Sequence, residues 1–237
     1  MTAALLGAAA ATVAGIGLAG HFRLWGDHRA TQLGQRETAQ LSDGSSIAMN
    51  SDTSLDVLIN GSQRKVRLLR GEAMFDIAKD VHRPFYVDLG DSEIKVLGTK
   101  FNIRRRDGVT ELAVTEGVVL VANKGADPVK VHAGSSAFIR PGIATSIITD
   151  PGIVQQRIAW TEGFLEFEEE PLEEVVEEFN RYRKIPLTIG DPRIAGTLIT
   201  GRFGLNEGDE FVLALESSFD IRASKGANGS VVLLQSD

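Results

Sequence analysis

The sequence predicts a mainly β protein. One all-β domain, solenoid- or sandwich-like, is followed by a small βαβ-type α+β domain and preceded by one marginal transmembrane helix. Three observations carry this reading. From about Glu37 to residue 149, apolar residues recur in i, i+2 pairs separated by turn dipeptides, the period-2 signature of strands. After Asp150-Pro151-Gly152, stripes with helical spacing appear instead. Ahead of both, Thr2 to Gly20 runs nineteen residues without a charge.

At about 1.5 Å per residue, the uncharged run is long enough to cross a hydrocarbon core of roughly 30 Å. Its composition is weak, with eight Ala and four Gly, and only Leu5, Leu6, Val13, Ile16 and Leu18 as strong apolar residues. A membrane span over residues 2–20 is the favoured reading. A secretory signal peptide competes with it but has no Lys or Arg ahead of the apolar run, and a buried or interfacial helix is the third alternative. Gly15-Ile16-Gly17-Leu18-Ala19-Gly20 matches the dinucleotide-binding spacing, yet no βαβ unit surrounds it. Small residues that let membrane helices pack closely explain it better. The transmembrane segment is set at 1–26, and the polar residues 27–36 read as a tether.

The all-β domain is set at 37–149. Asp43-Gly44, Asn60-Gly61 and Asp107-Gly108 are tight-turn dipeptides, because Asn, Asp and Gly accept the positive φ of hairpin turns. Between and beyond them run Val66/Leu68, Phe75/Ile77, Phe85/Val87, Ile94/Val96, Phe101/Ile103, Leu112/Val114 and Val118/Leu120, each pair on one strand face. Residues 150–160 are a linker helix, and 161–237 the second domain. There Gly163 to Phe167 reads as a strand. Pro171 starts a helix with Leu172, Val175, Val176 and Phe179 on one stripe. Leu187–Ile189 and Gly196–Phe203 are strands. Asp209–Phe219 is a helix with Phe211, Val212, Leu215 and Phe219 inward, and Ile221–Ala223 and Val231–Leu234 close a hairpin at Asn228-Gly229.

Composition narrows the function. The chain has no cysteine, which removes disulfides, thiolate metal sites and cysteine nucleophiles. The net charge is −7, so bulk attraction to nucleic acid is not expected. The negative charge is local, with nine glutamates and no Lys or Arg between Arg157 and Arg181. Glu173, Glu174, Glu177 and Glu178 fall off the apolar stripe of their helix and read as a solvated face. The four histidines, at 21, 28, 82 and 132, have no metal-ligand spacing. Arg104-Arg105-Arg106 beside a turn reads as surface charge, with a protein-docking patch as the minority reading. No catalytic, cofactor-binding or metal-binding constellation is found, and no enzyme is expected.

Longer motifs supply a resemblance. Leu69-Arg70-Gly71-Glu72-Ala73-Met74-Phe75-Asp76-Ile77 is followed by Arg83-Pro84-Phe85 with Val87. Val96-Leu97-Gly98-Thr99 with Phe101 and Ile103 comes next, and then Val114-Thr115-Glu116-Gly117 with Val119. In order and spacing this resembles the periplasmic domain of FecR-type anti-sigma regulators. Trp160, Gly163, Leu165 and Phe167, then Pro171-Leu172 through Asn180-Arg181-Tyr182, resemble that family's C-terminal domain. The latter is similar to the short N-terminal signalling domains of secretins and TonB-dependent transporters.

The resemblance implies a single-pass bacterial inner-membrane protein with a periplasmic C-terminal part. It would receive a signal from a TonB-dependent outer-membrane transporter of the iron-uptake type and regulate an extracytoplasmic-function sigma factor. The sigma-binding segment of that family has no counterpart in this sequence. Glu173, Glu174, Glu177 and Glu178 are the expected partner-binding residues, facing the transporter's signalling domain. A non-catalytic cell-envelope or carbohydrate-binding module is the alternative; the aromatics it needs are limited to Trp25, Trp160, Tyr86 and Tyr182 beyond phenylalanine.

Overall fold

A computed structural model describes residues 26–106, 108–226 and 229–236. The expected membrane segment at residues 2–20 lies outside the described residues, as do Asp107 and Asn228 of two expected turns. Among the described residues, no helix is long and apolar enough to cross a membrane.

Thirteen strands build the first domain: β1 (Asp27–Ala30), β2 (Glu37–Gln40), β3 (Ser46–Met49), β4 (Ser54–Ile59), β5 (Arg64–Asp76), β6 (Phe85–Asp88), β7 (Ser92–Val96), β8 (Lys100–Arg106), β9 (Val109–Glu116), β10 (Val118–Asn123), β11 (Val129–His132), β12 (Ser135–Ile139) and β13 (Ser146–Thr149). The first half of β5 pairs with β4 and β6 in the layer β1-β4-β5-β6-β7-β10-β11. Its second half pairs with β3 and β8 in the layer β2-β3-β5-β8-β9-β12-β13. Of the two expected forms this is the sandwich, since every pairing except β5 with β6 is antiparallel. Buried residues of both layers, among them Ile47, Leu68, Phe75, Phe85, Ile94, Phe101 and Val121, form one core.

The passage of β5 from layer to layer is a local event. Ser54 pairs with Arg70 and Leu55 with Leu68, leaving Leu69 as an extra residue, a bulge that sharpens the twist. Arg105 Nη1 donates to the carbonyls of Leu68 and Leu69 at 2.6 and 3.2 Å. Gly71 follows with φ +84°, and a Cβ there would lie 2.4 Å from Thr53 Oγ1, so only glycine fits. Arg64, at the start of β5, is fully buried. It donates to Asp43 Oδ2 at 3.1 Å, to the Ala78 carbonyl at 2.9 Å and to the Arg83 carbonyl at 2.8 Å, which ties the opening Asp43-Gly44 turn to the loop before β6.

Two expectations need correction. The tether at 27–36 contains β1, paired antiparallel with β4 from Asp27↔Val57 to Ala30↔Ser54. It is an edge strand with no buried residue, so it carries no apolar alternation to read. In β10 the buried residues are Val119 and Val121, while Val118 is exposed. Val118 and Leu120 do share a strand face, but it is the outer one, since an unbroken apolar run does not say which phase meets the core.

The second domain follows Asp150, whose carboxylate accepts from Gly152 N at 2.8 Å and caps α1 (Pro151–Ile158). A 3-10 turn at Ala159–Glu162 leads to β14 (Phe164–Pro171), α2 (Leu172–Asn180), β15 (Leu187–Ile189), β16 (Leu198–Gly204), α3 (Gly208–Ser218), β17 (Ile221–Lys225) and β18 (Val231–Gln235). Strand β14 pairs antiparallel with β16, and β18 lies between β15, parallel, and β17, antiparallel. The stripe Leu172, Val175, Val176, Phe179 is buried as its spacing required. Phe179 stacks on Phe211 with ring centroids 4.4 Å apart, and Phe167 and Phe203 complete the cluster. Phe219 does not join it, because it is the extended C-cap of α3 and is exposed.

Candidate functional site

Strand alternation places Ala73 and Phe75 of β5, and Phe101 and Ile103 of β8, in the sandwich core. It places Glu72, Met74, Asn102 and Arg104 on the opposite face of the layer. A lone sandwich would give these to water. Here Glu72 and Asn102 are each 2% exposed and Met74 is 7% exposed, because the second domain covers them. Met74 belongs to the second domain's apolar core, together with Trp160, Leu165 and Phe179.

At the centre of this interface, Glu72 Oε2 accepts from Arg181 Nη2 at 2.6 Å and from Asn50 Nδ2 at 2.9 Å, and its Oε1 accepts from Asn102 Nδ2 at 2.8 Å. Tyr182 Oη donates to Asn50 Oδ1 at 3.0 Å. Trp160 Nε1 donates to Asn102 Oδ1 at 3.3 Å, and Arg36 Nη1 to the Trp160 carbonyl at 3.0 Å. Arg181 Nη1 also binds Glu178 Oε2 at 3.1 Å, while the other oxygen of Glu178 meets Arg104. Arg106 pairs with Glu177, Arg157 of α1 with Glu111 of β9, and Ser51 Oγ with the Arg181 carbonyl.

A buried carboxylate of this kind persists only when paired and hydrogen-bonded. Burial pushes the Glu72 carboxyl upward, but Arg181 and Arg104, with the hydrogen bonds from Asn102 and Arg181, outweigh it and hold the group below its ordinary value. Burial lowers Arg181, and Glu72 and Glu178 overcome that and raise it. Burial raises Tyr182, so its hydroxyl stays protonated. The site is a locked set of opposite charges joining two domains.

Beside it, a cleft of about 280 Å³ runs between the sandwich and the second domain, with Phe138, Arg157, Trp160, Glu170 and Glu174 in its wall. Burial raises Glu170, and its neighbour Glu174 raises it further. Among the described residues, no group of three or more His, Asp or Glu is set to hold a metal.

The family-motif residues separate by role. Glu72 and Trp160 enter the interface. Phe75, Phe85 and Phe101 sit in the sandwich core, with Phe75 stacked on Phe101 at 5.1 Å. Gly98 (φ +149°) and Gly117 (φ +79°) shape adjoining turns, where Thr99 Oγ1 donates to the Val118 carbonyl at 3.3 Å. Pro84 is half-buried just before β6, and Glu116 is exposed opposite Lys100.

The four helix glutamates also divide. Glu173 and Glu174 are exposed, as a solvated face requires. Glu177 and Glu178 instead engage Arg106 and Arg104, so the solvated-face expectation fails for Glu178, whose side chain is only 15% exposed. The arginine run is not plain surface charge: Arg104 and Arg106 pair with Glu178 and Glu177 of α2, and Arg105 binds the carbonyls of Leu68 and Leu69. Asn50 and Asn102 were missed, because a polar residue just past a strand end, or on the outer face of a strand, reads as solvent-facing.

Comparison with known proteins agrees with this architecture. Residues 27–120 match the family model described as FecR protein, which spans β1 to the middle of β10. Over those residues the chain is similar to a FecR domain, in line with the FecR-type reading drawn from the motifs. Two crystal structures, at 2.50 and 1.65 Å, of a candidate anti-sigma factor from Parabacteroides distasonis share the fold with TM-scores of 0.74 and 0.75. Each is 22% identical to this chain and covers 89% of it, with 99% and 100% of their own lengths matched. The likeness thus takes in both domains. No curated protein matches the chain.

Proposed function

We propose that this protein is a sigma-factor regulator of the anti-sigma type, acting by protein contact and not by catalysis. The observation that carries this is the similarity to a FecR domain over residues 27–120, supported by a two-domain fold like that of the candidate anti-sigma factor. In finer terms, residues 2–20 anchor the chain in a bacterial inner membrane with the two described domains in the periplasm. The C-terminal domain receives the signalling domain of a TonB-dependent transporter of the iron-uptake type. The Glu72–Arg181 interface then couples that event to the FecR-like domain.

Glu173 and Glu174, exposed at the positive end of α2, steer a basic partner. The test is a reporter driven by a sigma factor encoded beside this chain. Deleting the chain should change reporter output at least about tenfold, the scale of a 1.4 kcal/mol coupling. Unchanged output from every neighbouring sigma factor refutes the regulator reading. An alkali-washed membrane fraction without the protein refutes the anchor alone.

A further inference from the structure

Among the described residues, four strands end the two layers of the FecR-like sandwich: β1 and β11 on one, β2 and β13 on the other. An open strand edge pairs with other chains unless something guards it, and charge is the usual guard. Strand β1 carries Asp27, His28 and Arg29, β2 carries Glu37, and β11 carries Lys130 and His132. Strand β13, Ser146-Ile147-Ile148-Thr149, carries none, and no charged residue occurs from Pro141 to Thr149. All its residues are exposed, and Ile143, Ile147 and Ile148 leave 55%, 40% and 40% of their surface open. Its strand partner among the described residues is β12 alone.

We propose that β13 is a self-pairing edge, and that a second copy of this chain adds its own β13 antiparallel across a two-fold axis. Directly opposed residues of antiparallel strands point to the same face, so the axis passes through a residue and not between two. Centred on Ile147, the register sets Ile147 against itself, Ser146 against Ile148 and Thr145 against Thr149. These are five uncharged positions without a like-charge clash. Centring on Ile148 would bring Asp150, already capping α1, and Pro151, which has no N–H, into the ladder. Centring on Ser146 would set three of the four β13 residues against positions 143–145, which precede the strand. The Ile147 register is therefore the one that pairs β13 chiefly with itself. An edge with no charge has no means of selecting a partner strand by electrostatics, whereas the same uncharged strand matches it in length and chemistry. One short strand per copy is a small contact, so the dimer is weak.

The chain has no cysteine, so one introduced thiol reports the register without background. In the full chain, Ile147→Cys lies on the axis and should cross-link under mild oxidation. Ile148→Cys, displaced to opposite sides of the axis, should link at least about tenfold less. Both side chains are exposed, so neither change touches the core. By sedimentation equilibrium the wild-type chain should dimerise by about 100 μM. Ile147→Lys should raise the dissociation constant by about tenfold or more. A wild-type chain that stays monomeric, equal cross-linking at the two positions, or a Lys substitution without effect overturns the proposal.

Discussion

The Glu72 carboxylate receives three hydrogen bonds, from Arg181, Asn50 and Asn102, while 2% exposed. Removing one partner of such a pair leaves the other buried and uncompensated, at a cost of about 3–5 kcal/mol. Arg181→Ala should lose stability on that scale in urea unfolding. The Glu72→Ala, Arg181→Ala double variant should lose less than the sum of the singles. The acid limb has a definite sign. Glu72 titrates below its ordinary value of 4.5 in the folded chain, so its contribution is fully present above that value and is lost as pH falls through the folded pKa. Wild type should therefore lose more stability between about pH 5 and pH 3 than Glu72→Gln does. A pH–stability curve for the two proteins that runs parallel across this window contradicts the assignment. At the same scale, Gly71→Ala forces a Cβ into Thr53 at positive φ and should cost more than about 1 kcal/mol.

Helix α2 serves two surfaces at once. Its apolar stripe fills the second domain, and its trailing glutamates hold the arginines of β8. Phe179→Ala should cost about 3–5 kcal/mol, as loss of a stacked, fully buried aromatic does. Glu173→Lys with Glu174→Lys should cost only about 1 kcal/mol, the loss of two favourable charges at the positive end of α2. Glu177→Lys with Glu178→Lys should loosen the domains, and thermal melts of the two pairs should separate. The stripe was legible because helix periodicity alone selects one face. Most strands of the sandwich were legible for the matching reason, alternation between a core and an outer face. Strand β1 was not, because an edge strand with both faces open has nothing to alternate, and β10 was not, because an unbroken apolar run has no phase. The Glu72 cluster was illegible as a cluster. Position 72 faces outward on β5 whether water or another domain lies beyond, and only the tertiary arrangement of Arg181 decides.

For the whole molecule, the interface makes the two domains one cooperative unit, since Met74 and Trp160 share an apolar cluster with the C-terminal core. Denaturant should unfold the wild-type chain in a single transition, and Arg181→Ala should split it into two. Coincident fluorescence and circular dichroism curves in the variant would count against this. Strand β5 adds a mechanical consequence. It is one continuous run of thirteen residues, laced into one layer by its first half and into the other by its second. Its bend is fixed at Leu69–Gly71, and Glu72 follows directly. A load applied through Arg181 therefore reaches the sandwich at the joint between its layers, where it must shear both ladders together instead of peeling either one. The sandwich acts as a stiff spar: tension on the clasp will part the two domains before it opens the β layers.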